Sequence, residues 1–223
     1  MHTPSSRLLF VTLALSLGAS ACQSTHRVPG DDDAMMSTLT QEQRTKIDAA
    51  RAEYTLRTDE LAVARLDLVR ARAEVVLART DRDIAQADVE RAKNVVAIAE
   101  TNSTEDLTSA REALATTTAE LPEFDQLVLW RESHVRRSER AETLAEATQA
   151  LAHAKTDLEK ARAFAESDQA ASEGIDVPAS ELQVNDCMTR EATARAELAG
   201  AERESELAER SYETARTNRP AVE

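Results

Sequence analysis

Apolar residues recur every seven positions between residues 47 and 99, and this pattern predicts a long helix packed against a partner helix. The first apolar position of each heptad, position a, is mostly large, and the second, position d, is mostly alanine. Small side chains at d let two helix backbones approach closely. Arg57 and Arg82 interrupt the pattern. The large seam residues are Ile47, Tyr54, Leu61, Leu68, Val75, Val89 and Val96.

Charged residues flank this seam with a regular sign. Acidic residues occupy position g from Glu53 to Asp88, and basic residues occupy most e positions from Arg51 to Lys93. This arrangement pairs g with e between parallel helices, whereas antiparallel helices face g with g and e with e. The alternative is that both rows are solvated faces, in which each pair contributes a few tenths of a kcal/mol.

A second long helix follows a predicted turn near residues 102–106, where Asn102 ends one helix and Ser103 or Thr104 starts the next. Residues 37–172 are therefore predicted to form a long antiparallel hairpin, and a continuous kinked rod is the alternative. Pro122 either kinks the second helix or begins a new one. We expect the second helix to fill the alanine seam with large residues at heptad spacing, namely Leu144, Leu151 and Leu158. Its Lys155 and Arg162 would then face like charge.

The predicted ends of the helices complete an all-α fold, either a long antiparallel hairpin or a three-helix coiled coil. Thr40 and Gln43 have the spacing of a capping box at the first helix. Gly174 and Pro178 mark a loop over residues 173–179. A last helix is predicted over residues 180–218.

The N-terminus has the pattern of a cleaved signal peptide over residues 1–21. Arg7 provides the basic region, and residues 8–17 form an apolar stretch too short to span a bilayer as a stable helix. Small residues then precede Cys22. The segment Ala19-Ser20-Ala21 also fits an ordinary secretory cleavage site, which would release a soluble secreted protein.

Ser20, Ala21 and Cys22 resemble the lipobox of bacterial lipoproteins, although Ala19 stands where that family usually has leucine. The resemblance implies cleavage between Ala21 and Cys22 and lipidation of Cys22, for example with palmitate. Gln23 follows the cysteine, and in Gram-negative members of the family the absence of aspartate there implies sorting to the outer membrane, facing the periplasm. Residues 22–36 would be the lipidated cysteine and a flexible tether, because Pro29, Gly30 and the aspartates 31–33 cannot bury a core.

Composition limits the classes of function. The chain carries 27 basic and 41 acidic residues, a net charge of −14, which disfavours nucleic acid as a partner. Only 3% of residues are aromatic and four are glycine, which argues against a β-rich or Rossmann-like domain. If Cys22 is acylated, Cys187 is left alone, either as a small apolar residue on a helix stripe or as a site of covalent dimerisation.

No motif of catalytic, cofactor-binding or metal-binding type occurs in the sequence. The histidines His26, His134 and His153 are scattered, and neither His134 nor His153 has a cysteine or histidine three or four residues away. A basic cluster between Arg131 and Arg140, beside Trp130, is either a solvated face or a docking patch for an anionic partner such as lipid head groups or cell-wall polymer.

These features predict a non-enzymatic envelope protein that acts as a helical spacer, tether or scaffold. Its plan resembles murein lipoprotein and other alanine-rich coiled-coil lipoproteins, but the end Pro220-Ala221-Val222-Glu223 lacks the lysine that murein lipoprotein joins to peptidoglycan. The expected partners are the membrane through Cys22, an envelope protein or the cell wall, and further copies of the chain. The alternatives are an accessory subunit of a trans-envelope complex, in which the hairpin contacts a channel, and a periplasmic holdase-type chaperone.

Overall fold

The computed structural model describes residues 36–102, 104–166 and 175–218 and forms three helices. They are α1 (Gln41–Asn102), α2 (Thr104–Ala165) and α3 (Val177–Thr217). No strand occurs within these described ranges. The all-α fold class predicted from the sequence is confirmed.

A reciprocal pair of hydrogen bonds defines the start of α1. The backbone N–H of Gln43 donates to Thr40 Oγ1 at 3.3 Å, and the backbone N–H of Thr40 donates to Gln43 Oε1 at 2.9 Å. This is the capping box that the sequence predicts. It satisfies two backbone donors that the first turn of a helix otherwise leaves without partners.

α1 and α2 run antiparallel along their full length. Gln43 Nε2 donates to Glu166 Oε2 at 2.9 Å at one end, and Arg111 lies 3.3 Å from Glu100 at the other. Each helix has 62 residues, about 93 Å at 1.5 Å per residue. The chain is thus a hairpin, and the alternative of a continuous rod is wrong.

Pro122 lies inside α2, which continues on both sides of it. The interpretation that a new helix begins there is therefore wrong. Proline has no N–H to donate to the preceding turn, so the helix tolerates one missing hydrogen bond at this point. Pro122 is exposed, where water can satisfy the freed carbonyl.

α3 begins at Val177 and not at Ser180, because Asp176 caps it. The side chain of Asp176 accepts a hydrogen bond from the backbone N–H of Ala179 at 3.0 Å. Pro178 occupies the first turn, where its missing N–H costs nothing. From the sequence, this proline was expected to lie in the loop, although a proline after an N-capping aspartate is typical of a helix start.

α2 is the central helix, since α1 packs along one side of it and α3 along the other. Two apolar clusters mark the two contacts. Leu39 and Ile47 pack with Ala163 and Phe164, joined by Met36 and Ile175, at the end of the hairpin opposite the turn, which we call the base. Between α2 and α3 lie Leu151, Ala154 and Cys187, joined by Ala150 and Val184.

The stability of the fold depends more on the packed side of α1 than on its exposed side, and substitution of two isoleucines tests this difference. Ile47 is fully buried, whereas Ile98 is 61% exposed. Ile47→Ala should lower the free energy of unfolding by about 2–4 kcal/mol, because it removes buried methyl groups and leaves a cavity. The matched control Ile98→Ala should change it by less than about 0.5 kcal/mol. Urea unfolding followed by circular dichroism measures both, and equal effects would contradict the burial described here.

Candidate functional site

The predicted lipidation and sorting residues, Ala21, Cys22 and Gln23, lie outside the described residues. The structure therefore bears on the predicted seam and on the surfaces of the helices.

The large residues of the predicted α1 seam lie on its inner side. Ile47, Leu61, Leu68, Val75 and Val89 are buried, and Tyr54 and Val96 are half-buried. The intervening alanines follow them, and Ala71, Ala78 and Ala99 are buried. The seam thus runs from the base to the turn, with alanine at every d position except Arg57 and with Arg82 as the one charged residue at position a.

The leucine stripe predicted on α2 does not pack against α1 as expected. Leu151 packs with Ala154 and with Cys187 of α3. Leu144 and Leu158 are one heptad before and after Leu151 and share its face of the helix. From the sequence, this stripe was expected to fill the alanine seam of α1. That assignment is corrected, because α2 has neighbours on two sides and this stripe belongs to the side that meets α3.

A row of ion pairs connects α1 to α2. Three α1 arginines one heptad apart, at the predicted e positions, reach glutamates of α2 that are also one heptad apart. We call these contacts the charge ladder: Arg65 to Glu146 at 3.1 Å and to Glu142 at 3.2 Å, Arg72 to Glu139 at 3.1 Å, and Arg79 to Glu132 at 2.7 Å. The hydrogen bond to Glu146 raises the pKa of Arg65, and the hydrogen bond to Glu142 raises it by a smaller amount.

The like-charge contacts expected for an antiparallel hairpin do not form. Lys155 lies 3.5 Å from Glu53 of α1, an attractive pair. Arg162 lies 2.9 Å from Glu181 of α3, and this hydrogen bond raises the pKa of Arg162. The expectation failed because it placed both side chains by a heptad register that belongs to the α3 side of α2.

The two arginines that interrupt the seam keep their charge paired along α1. Arg57 Nη1 lies 2.8 Å from Glu60, and this hydrogen bond raises the pKa of Arg57. Arg82 lies 2.9 Å from Asp83, which raises the pKa of Arg82. Both arginines are half-buried, so their aliphatic stems cover the seam while the charged heads reach acidic neighbours.

The basic cluster near Trp130 joins all three helices. Arg131 lies 2.7 Å from Glu74 of α1, with its guanidinium carbon 4.2 Å from the centre of the Trp130 ring. The Trp130 ring stacks on Tyr212 of α3, with ring centres 5.2 Å apart. Arg140 lies 2.7 Å from Glu197 of α3. Two arginines of the cluster thus hold neighbouring helices, while Arg136 and Arg137 between them are exposed.

The two described histidines, His134 and His153, lie apart from each other, and neither belongs to a cluster of metal-ligating side chains. His153 Nδ1 lies 3.0 Å from Asp157, and its ring meets the edge of Tyr54 with centres 5.4 Å apart. His134 lines a groove between α1 and α2. Among residues 36–102, 104–166 and 175–218, no group of three or more His, Cys, Asp or Glu side chains is arranged to hold a metal ion.

The grooves of the surface carry mixed charge. One, of about 500 Å³, lies between α2 and α3 and is lined by Arg136, Arg140, Glu197 and Glu204 among others. Another, of about 440 Å³, lies at the base and is lined by Lys46, Arg162, Glu159 and Glu166 among others. Since acidic and basic side chains alternate around each groove, neither offers a field of one sign to a ligand.

A second apolar series on α1 was not predicted from the sequence. These residues lie at heptad positions b, c and f, on the side away from the seam, and each is 53–66% exposed. We call them the outer stripe: Leu56, Val63, Leu66, Val69, Val76, Leu77, Ile84 and Ile98. The recurrence of large apolar residues at position c could have predicted this stripe. It was not used because the heptad prediction considered only positions a and d.

Comparison with known protein families, with curated proteins and with solved structures finds no match to this chain. Among the described residues, no helix combines the length and apolar character needed to cross a membrane.

Charge reversal at one rung of the ladder tests the register. Arg72→Glu places like charges opposite Glu139, and because both side chains are largely exposed, it should lower the free energy of unfolding by about 0.2–1 kcal/mol. Adding Glu139→Arg should restore stability, and high salt should reduce both changes. The control is Arg91→Glu, whose partner Asp88 lies on the same helix; Glu139→Arg should not rescue it. Failure to rescue Arg72→Glu would contradict the register.

Burial of Cys187 predicts a slow thiol. Cys187 is 1% exposed, so in a Cys22→Ser background its reaction with a disulfide reagent should be at least about tenfold slower in the folded protein than in urea. The matched control is Met188→Cys combined with Cys187→Ala, which moves the thiol to a neighbouring exposed position. Rapid reaction of Cys187 in the folded protein, or a dimer linked through it on a non-reducing gel, would contradict this prediction.

Proposed function

We propose that this protein is a lipid-anchored structural protein of the bacterial envelope, in which the helical hairpin is a spacer or tether. The observation that carries the proposal is a lipobox-like Ser20-Ala21-Cys22 segment ahead of an antiparallel hairpin about 93 Å long. A lipid on Cys22 would hold the chain to a membrane, and the hairpin would set the distance that the molecule spans.

The placement of the base supports this role. α1 begins at Gln41, and Leu39 just before it is buried against Ala163 and Phe164. The chain therefore enters the hairpin at a packed end, and the turn between α1 and α2 lies at the far end. A tether of about 15 residues from the anchor to this end has a root-mean-square length of roughly 20 Å if flexible. Most of the reach would come from the rigid helices.

The ion pairs along the hairpin also support a structural role. The charge ladder, the Arg131–Glu74 pair and the Lys155–Glu53 pair lie at intervals along the contact of α1 with α2. A seam rich in alanine buries little apolar area per layer, so such pairs help to fix the alignment of two long helices. An aligned hairpin is what a spacer of defined length requires.

Cys22→Ser tests the anchor. In cells grown with labelled palmitate, this variant should lose the label and move from the membrane to the soluble fraction, because the acceptor thiol is gone. The matched control Cys187→Ala removes the other cysteine and should keep both label and membrane association. In a Gram-negative host, Gln23→Asp should shift the protein toward inner-membrane fractions of a density gradient. Unchanged membrane association of Cys22→Ser would overturn the proposed anchor.

A further inference from the structure

We propose that the outer stripe of α1 is the docking site for a basic amphipathic helix of another protein. The inference goes beyond the proposed anchor and does not depend on it. It is based on the exposed apolar series, on the sign of the charge beside it, and on the occupants that this charge disfavours.

The outer stripe is long, and apart from Val63, which borders a groove shared with α2, no described helix packs on it. Its residues run from Leu56 to Ile98, about 63 Å of helix, and each is more than half exposed. α2 covers the opposite side of α1, and α3 packs on α2. Single exposed apolar residues are ordinary on protein surfaces, but seven of these residues lie between Leu56 and Ile84 on one side of α1, and such a concentration marks an interaction surface. Its heptad spacing fits a helix, which places its own apolar residues at the same period.

An acidic edge runs beside the outer stripe. Glu60, Asp67, Asp81 and Asp88 occupy g positions next to it. Glu74, the g residue between Asp67 and Asp81, instead pairs with Arg131 of α2. The basic residues within the stripe, Arg70 and Arg91, are already paired with Asp67 at 3.4 Å and Asp88 at 3.0 Å. Asp59 and Asp81 are exposed and make no ion pair among the described residues. The basic residues on the other edge of the stripe, Arg65, Arg72 and Arg79, are paired with glutamates of α2. The unpaired charge of α1 beside the stripe is therefore that of Asp59 and Asp81, and it is negative.

This charge discriminates between occupants. A membrane surface is disfavoured, because helices that lie on anionic lipids carry basic residues beside the apolar face. A second copy docked antiparallel would bring acidic edges together. A parallel copy would place the acidic edge against Arg65, Arg72 and Arg79, which are already paired with glutamates of α2. The N-terminal tether carries aspartates at positions 31–33, which have the same sign as the edge. A helix with leucine or isoleucine at heptad spacing and lysine or arginine beside it complements both features.

The test uses the mature chain with Cys22→Ser, a change outside residues 36–218. The probe is a labelled synthetic peptide of about four heptads with leucine at a and d and lysine at e and g. Two matched peptides serve as controls, one with glutamate in place of lysine and one with the lysine peptide's composition in scrambled order. Fluorescence anisotropy at physiological salt gives the Kd of each.

Two neutral double variants locate the binding. Leu77→Gln with Ile84→Gln changes the outer stripe, whereas Leu182→Gln with Leu207→Gln changes similarly exposed leucines of α3. All four residues are exposed, so both variants should retain helicity by circular dichroism. We expect the Kd of the lysine peptide to rise at least about tenfold for the α1 variant and less than about twofold for the α3 variant. The glutamate and scrambled peptides should bind at least about tenfold more weakly than the lysine peptide.

Several results would overturn the proposal. Equal binding of the scrambled peptide would show attraction to the net charge of the chain alone. Equal weakening by the α1 and α3 variants would remove the assignment to the outer stripe. Self-association in sedimentation that only the α1 variant abolishes would assign the stripe to a second copy, and absence of lysine-peptide binding would leave it without the proposed occupant.

Discussion

The packing of α2 between two helices is the constraint on which the rest of the structure depends. A helix with neighbours on both sides buries residues on two faces, and α2 buries alanine, serine and threonine beside its large apolar residues. Ser133 and Thr156 are buried, and their hydroxyls donate to carbonyls of their own helix, Trp130 O at 2.6 Å and Ala152 O at 2.9 Å. These side chains therefore pack closely without requiring a polar partner from α1 or α3.

The sequence predicts α1 better than α2 for this reason. α1 has one packed side, so its heptads and the Thr40–Gln43 box predict both its seam and its start. α2 has two apolar stripes with the same heptad period, one facing each neighbouring helix. From the sequence alone, a stripe such as Leu144 to Leu158 cannot be assigned to one neighbour or the other. The predicted positions of Lys155 and Arg162 were wrong for the same reason, because they were derived from the register of that stripe. The outer stripe was missed because the seam already accounted for the helical period of α1.

The register of the hairpin comes from elements that do not repeat. A slip of one heptad would keep alanine opposite large residues and would still align two rungs of the charge ladder, since its members are also seven residues apart. Phe164 fits against Ile47 and Leu39 at only one end of the hairpin. Asn102 ends α1 and Thr104 begins α2, which leaves no spare length at the other end. The two ends thus select one alignment among several that the repeats allow.

The position of Tyr212 has a mechanical consequence. α3 starts beside the base, where Glu181 meets Arg162, and reaches Trp130 through Tyr212 near its own end. The rod is therefore three helices thick over its lower part and two helices thick from about Trp130 to the turn. Bending stiffness rises steeply with cross-section, so a sideways load on the turn would flex the thinner part first. The molecule therefore narrows toward the turn, with a stiffer three-helix part at the base and a more flexible two-helix part beyond it.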